Sequence, residues 1–540
     1  MTKRIAVLVA VSLLCPSSAS ADTYPRQPGV DAVHYVFRLA LLDADSNEIR
    51  GEAAVDLRFV SDGVTEIFFD LASAAEGKGM TVSAVSIGGK PIPFTHQDDR
   101  LRIPLPSPSI AGQEASVTIR YRGVPADGLR LIPNIHGERC AFSENWPNKA
   151  RQWLPMIDHP SDKATGEFII TAPAQYQVVA NGLLVETVDL ENGLRRTHWT
   201  QAVPIASWLY AIGVAHFAVH HVGQVRGVPL ESWVFPQDKD KAYGVFEPAS
   251  RQAIEFFSEH IAPYPYEKLA NVQAAGIGGG TEHATAIFYG EKGVASGRAP
   301  VVHEIAHQWW GDAVTESDWD DVWLSEGFAT YFTHLFNRHY VGNDTFVAGL
   351  KRDITTVVQL EIRSPDTPVI HRNLSDMRRV LNRFVYQKGG WVLHMLHGMV
   401  GEETFWAGIR DYYRRYENKN ASTDDFRRVM ERVSGKDLTW FFRQWLNRSG
   451  VPRIEGTWRY DAARKMVEVV LTQTQPGDPY RLPFEVGLVM RPQALPRVEK
   501  AEFTDRRGTF TFPSDTEPVA VVLDPGTWLL YEAGPFTKAQ

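Results

Sequence analysis

Cysteine is almost missing from this 540-residue chain: only Cys15 and Cys140 occur. A disulfide scaffold is therefore excluded, and stability must come from cores large enough to stand unaided. No apolar run approaches the roughly 18 residues that a membrane-spanning helix needs. Low-complexity blocks and internal repeats are also lacking. There is no surplus of positive charge either. Lys+Arg number 56 against 64 Asp+Glu, a formal net charge of −8, which argues against a general nucleic-acid or anionic-membrane binder.

What is present is the composition of a folded chain, 44% hydrophobic and 22% charged. Its length exceeds one hydrophobic core and predicts several domains. The first residues read as an export signal. Lys3 and Arg4 precede the apolar "IAVLVAVSLL", and "ASA" (19–21) is a small-x-small cleavage site before Asp22. Cleavage there would send the protein to the periplasm or the medium and remove Cys15. Leu14 is a poor match to a lipid-attachment site.

From about 30 to 220 the pattern is β. "VHYVFRLALL", "AAVDLRFV" and "GEFIITAP" run or alternate apolar at strand length, between turn residues. Helical spacing takes over in "EPASRQAIEFFSEHIA" (247–262) and dominates to about 446. "STDDFRRVMERVSG" (422–435) opens on Ser/Thr cap candidates and closes on Gly435. Strands return with "TWRYD", "MVEVVLTQ", "FEVGLVMR", "GTFTF" and "VAVVLDP". The expected division is a signal peptide at 1–21, a β-rich domain at 22–222, an α-rich domain at 223–447 and a second β domain at 448–540.

The chemistry concentrates in "HEIAHQWWGDAVTESDWDDVWLSEGF", which begins at His303. His303 and His307 are one helical turn apart, so their imidazoles can converge on one ion. Glu304 is turned about 100° from His303 and flanks the ion, where it can take the proton of an attacking water. A catalytic zinc usually has three protein ligands and one open position. Glu326, one turn into the next helical segment, supplies the third. Asp312 and Asp321 are candidates to orient the histidines.

These residues resemble those of the M1 zinc aminopeptidases, gluzincins that pair the two-histidine helix with a glutamate in a W-L-x-E-G-F/L-A segment. "ARQWLPMIDHPSDKAT" (150–165) and "VYQKGGWVLHML" (385–396) resemble two further segments of that family. The resemblance implies a multidomain α+β fold: an N-terminal β-saddle domain, a thermolysin-like α-rich zinc catalytic domain and a C-terminal β-sandwich domain. The large C-terminal helical cap of longer members is not expected. It also implies one zinc ion per chain and peptides with a free N-terminus as substrates.

Residue by residue, the resemblance carries over as follows. Tyr386 maps to the tyrosine that stabilises the transition state. In "GGTEHATAIFYGE" (279–291), Glu282 stands at the position that binds the substrate's α-amino group, and Gly279 and Gly280 lie along its backbone. Thr281 replaces the family's Met and His283 its Asn, where His283 would add a titratable group beside the substrate. Aligned without gaps on Arg151, Trp146 falls at a second amine-binding position, with Glu144 two residues earlier. Glu144 reaches the amine only if that loop shifts; otherwise Trp146 walls the pocket. Two other readings compete: an inactive peptide-binding homologue, and a hydrolase with an additional non-peptide substrate.

Overall fold

The structure is a computed structural model and describes residues 27–41, 46–371 and 376–539. The expected signal peptide at 1–21 lies outside the described residues.

The first domain is built on an eight-stranded sheet. Its order is Leu183–Asp189, Leu194–Ala206, Lys163–Pro173, Val30–Ala40, Ile49–Phe59, Glu114–Val124, Gly79–Ile87 and Lys90–Pro91. Val30–Ala40 pairs parallel with Lys163–Pro173, and the other neighbours are antiparallel. Strict alternation of buried residues along Lys163–Pro173 shows that one face is covered, as period-two patterning requires. Two smaller sheets share the domain's core, one of four strands and one of three. This is the saddle domain.

The second domain opens on a five-stranded sheet ordered Ala218–Val225, Val228–Val234, Leu269–Ala274, Ala286–Gly290 and Gly280–Thr281. Its first strand starts at Ala218. The helices that follow are α1 (Lys239–His260), α2 (Glu291–Ser296), α3 (Val301–His307), α4 (Trp323–Tyr340), α5 (Asn343–Arg363), α6 (Arg383–Val400), α7 (Glu402–Tyr416), α8 (Thr423–Ser434) and α9 (Thr439–Leu446). α1 begins before the stretch whose helical spacing the sequence shows, and it carries Pro248 inside. Pro248 and Gly244 both face solvent, so water can satisfy the Gly244 carbonyl that loses its helical donor. α8 has the cap its sequence predicts. Ser422 and Asp425 form a reciprocal capping box, and Gly435 ends the helix at φ +68°.

Two glycines set the approach of α4 and α6. A Cβ on Gly327 would stand 2.9 Å from the Gly389 carbonyl carbon, so these backbones pack together only because both residues lack side chains. Among the described residues, no helix is long and apolar enough to cross a membrane.

The last domain pairs a four-stranded sheet, Arg507–Pro513, Met466–Gln473, Arg453–Asp461 and Glu532–Lys538, with a three-stranded one, Arg497–Phe503, Leu482–Val489 and Ala520–Leu523. Phe484, Phe503 and Phe510 pack edge to face within this sandwich. The domain grips α6 directly. His394 stacks on Trp528 at 4.6 Å and donates from Nε2 to the Thr527 carbonyl at 2.8 Å. The buried Lys388 ammonium bonds Glu361 at 3.1 Å and the Gly450 carbonyl at 2.8 Å.

Candidate metal centre and cleft

Pro300 precedes α3, which presents His303, Glu304 and His307, and the chain then turns at Gly311 with φ +104°. Residues 314–316 and a 3-10 turn lead into α4, whose first turn carries Glu326. His303 Nε2 lies 3.2 Å from His307 Nε2, and these nitrogens lie 3.4 and 3.3 Å from Glu326 Oε2. In a tetrahedral zinc site with bonds of about 2.0–2.1 Å, ligand atoms stand about 3.3 Å apart. The triangle matches that edge on all three sides.

The hydrogen bonding of His307 supports the same fit. Its Nδ1 lies 3.1 Å from the Trp310 carbonyl and 3.0 Å from the Ser325 hydroxyl. A carbonyl only accepts, so Nδ1 carries the proton and Nε2 turns a lone pair toward His303 and Glu326. Acceptors converge with room for a cation among them. The residues expected to orient the histidines are corrected here. Asp312 accepts from Gln308 Nε2 at 2.8 Å and Asp321 from Thr423 Oγ1 at 2.5 Å, so the Trp310 carbonyl and Ser325 orient His307 instead.

The centre opens on a cleft of about 630 Å³ lined by Gly279, Gly280, Thr281, Glu282, His303, Glu304, His307, Glu326 and Tyr386, with Glu144 and Trp146 in its wall. Gly280–Thr281 is the edge strand of its sheet, so the outer main-chain groups can pair with an extended peptide. Its closeness to the chemistry explains the glycine: a Cβ on Gly280 would fall 2.5 Å from the Glu304 carboxyl carbon.

Glu282, Glu304 and His307 bring one ligand atom each within 4.8 Å of one another. Burial, followed by the charge of Glu282, pushes Glu304 well above the usual carboxylate range. Burial also raises Glu282, to about 6, against the pull of neighbouring His307 first and of a hydrogen bond from Trp146 after it. Glu282 Oε1 has no hydrogen-bond partner among the described residues. Tyr386 comes from α6, with its ring 6.2 Å from that of His303 and nearly parallel to it.

Two expected substrate contacts read differently in three dimensions. Glu144 is in the cleft wall, but its carboxylate is already taken by Lys149 at 2.5 Å and Arg130 at 3.3 Å. Trp146 is the neighbour that reaches Glu282. His283 does not line the cleft. The chain turns inward after Glu282, and the ring packs against Phe288 at 4.9 Å with no exposed surface.

Burial keeps His283 neutral down to about 3, whereas its ordinary value, and so that of the unfolded chain, is 6.5. Its stabilising contribution is complete above pH 6.5 and is lost as pH falls from there toward 3. His283→Asn removes this titration. The stability lost between pH 7 and pH 4 should then shrink by on the order of 3 kcal/mol. Urea unfolding at several pH values reads the change, and an unaltered pH dependence would contradict the neutral, buried ring.

A larger concavity, about 760 Å³, lies on the saddle sheet. Of its arginines, Arg120 pairs with Glu52 at 2.8 Å and Arg196 with Glu186 at 3.1 Å. That is an ordinary solvated sheet face.

Donors of this kind, on two packed helices beside a sheet edge, are the arrangement of a zinc metallopeptidase. Comparison with known proteins agrees. The model of the peptidase family M1 domain matches residues 249–445, and that of the peptidase M1 N-terminal domain matches residues 32–209. The chain belongs to peptidase family M1. It is similar to a glutamyl aminopeptidase of Bitis rhinoceros, 29% identical over 62% of this chain and 38% of the relative. It also resembles aminopeptidase N of Streptomyces lividans, 28% identical over 82% of this chain and 54% of the relative. It therefore spans about half or less of the length of these relatives. The M1 zinc metallopeptidase of Deinococcus radiodurans shares the fold, with a TM-score of 0.67 and 24% identity over 78% of this chain and 95% of that one.

Proposed function

We propose that this chain is an exported aminopeptidase with one zinc ion, which removes the N-terminal residue from peptides. The observation that carries the reading is the buried, half-unpartnered carboxylate of Glu282 beside Glu304 and the His303–His307–Glu326 triangle. An uncompensated buried carboxylate is costly, and a substrate α-ammonium answers it. That pairing fixes the scissile bond one residue from the N-terminus and disfavours blocked peptides.

His303, His307 and Glu326 would hold the zinc, which when bound supplies Lewis-acid polarisation of the scissile carbonyl and of the attacking water. Glu304 takes the proton from that water and passes it to the leaving amine; its raised proton affinity suits both halves of the task. Tyr386 donates its phenolic hydrogen to the oxyanion as the carbonyl carbon becomes tetrahedral. The Gly280–Thr281 edge aligns the substrate main chain. Export is part of the same reading, carried by the basic, apolar and small-residue pattern of 1–21.

The test uses zinc-loaded protein, with zinc counted per chain and aminoacyl anilides offered with free or acetylated N-termini. Cleavage of the free forms, with one zinc per chain, is expected. Equal cleavage of the acetylated forms would sink the exopeptidase assignment. No cleavage of any peptide would favour an inactive peptide-binding homologue.

A further inference from the structure

One side chain ties the metal helix to the loop that carries Glu282. Gln308 directly follows His307 and is wholly buried. Its Nε2 donates to the Glu282 carbonyl at 3.0 Å and to Asp312 Oδ2 at 2.8 Å. Its Oε1 accepts from the Thr285 N–H at 3.1 Å and lies 2.9 Å from the Tyr264 hydroxyl, which also points to the Lys268 carbonyl. A carbonyl only accepts and a backbone N–H only donates, so Glu282 and Thr285 fix which end of the amide is which. Every hydrogen-bonding position of the carboxamide faces a partner.

The loop so held is under strain. Thr285 has φ +67°, a left-handed conformation that a β-branched residue rarely adopts unless its surroundings impose it. Gln308 supplies one constraint. The others are the Ala270 N–H on the Thr285 carbonyl at 2.9 Å and the Gly182 N–H on its hydroxyl at 2.6 Å. On the other side, His307 is fixed through Trp310 and Ser325. Gln308 is thus one residue from a metal ligand and one hydrogen bond from the backbone of Glu282.

We infer that Gln308 is a positioning residue: it sets the distance between the amine-anchoring Glu282 and the metal ligands, and so keeps cleavage one residue from the N-terminus. The inference rests on the aminopeptidase reading. It matters because a peptide has one fixed spacing between its α-ammonium and its first carbonyl, so a small displacement of Glu282 misplaces the reacting atom.

The experiment measures full-length, zinc-loaded Gln308→Met and Gln308→Glu, each alone and combined with Glu282→Ala, on a free aminoacyl anilide. Gln308→Met loses every bond. Gln308→Glu keeps the acceptor facing Thr285 but sets an oxygen against the Glu282 carbonyl and Asp312. Each is expected to lower kcat/KM about 10–100-fold, through kcat as well as KM, with zinc content retained. In the Glu282→Ala background the further loss should not exceed about twofold, because the residue it positions is gone. A loss of equal size in both backgrounds, or loss of zinc, would overturn the inference, leaving Gln308 as a support of the metal helix alone. Should Glu282→Ala itself leave the preference for free over acetylated substrates intact, the aminopeptidase reading falls and this inference with it.

Discussion

Glu304→Gln is expected to reduce kcat by about 10²–10⁴-fold without releasing the metal or unfolding the protein. The change is isosteric, so the space beneath Gly280, where even a methyl group would collide with this side chain, stays filled. What is lost is the ability to take a proton. Glu304 lies outside the His303–His307–Glu326 triangle, so zinc content should match that of the unmodified protein. Stability should hold or rise, since a buried carboxylate beside the Glu282 carboxylate is exchanged for a neutral amide. Elemental analysis, thermal unfolding and turnover on one anilide read all three. A variant that turns over at the normal rate would mean that another group accepts the proton.

The metal triangle was legible in the sequence because its spacing is local. Two histidines four residues apart on one helix and a glutamate one turn into the next leave few geometries. Glu282 was legible only through the resemblance, since a lone glutamate after glycines has no pattern of its own. The groups that orient His307 were not legible. A main-chain carbonyl such as that of Trp310 leaves no mark in the sequence, and Ser325 reads as a helix serine, whereas Asp312 attracts attention by its charge. Gln308 carries no mark for a similar reason: a glutamine between a histidine and a tryptophan shows its worth only once Glu282 and Thr285 are placed beside it. In the last domain, Arg497–Phe503 and Glu532–Lys538 escaped the strand pattern. Both are mostly exposed, and their charged or glycine-containing stretches blur the apolar alternation that marks half-buried strands.

Tyr386→Phe is expected to lower kcat about 10²–10³-fold with little effect on KM, the cost of removing one oxyanion donor. The prediction depends on the ring staying in place when its hydroxyl goes, and the packing of α6 provides for that. Gly389 meets Gly327 at a backbone approach that neither helix can slide past without a clash. Two residues beyond Tyr386, the Lys388 ammonium is fixed between Glu361 and the Gly450 carbonyl. Farther along, His394 is clamped by Thr527 and Trp528. None of these contacts uses the phenol oxygen. A loss confined to kcat therefore reports a bond made in the transition state, because a hydroxyl that helped to bind the ground-state substrate would show itself in KM. The metal content and unfolding transition of the variant should match the unmodified protein, and a rise in KM with unchanged kcat would move Tyr386 from catalysis to binding.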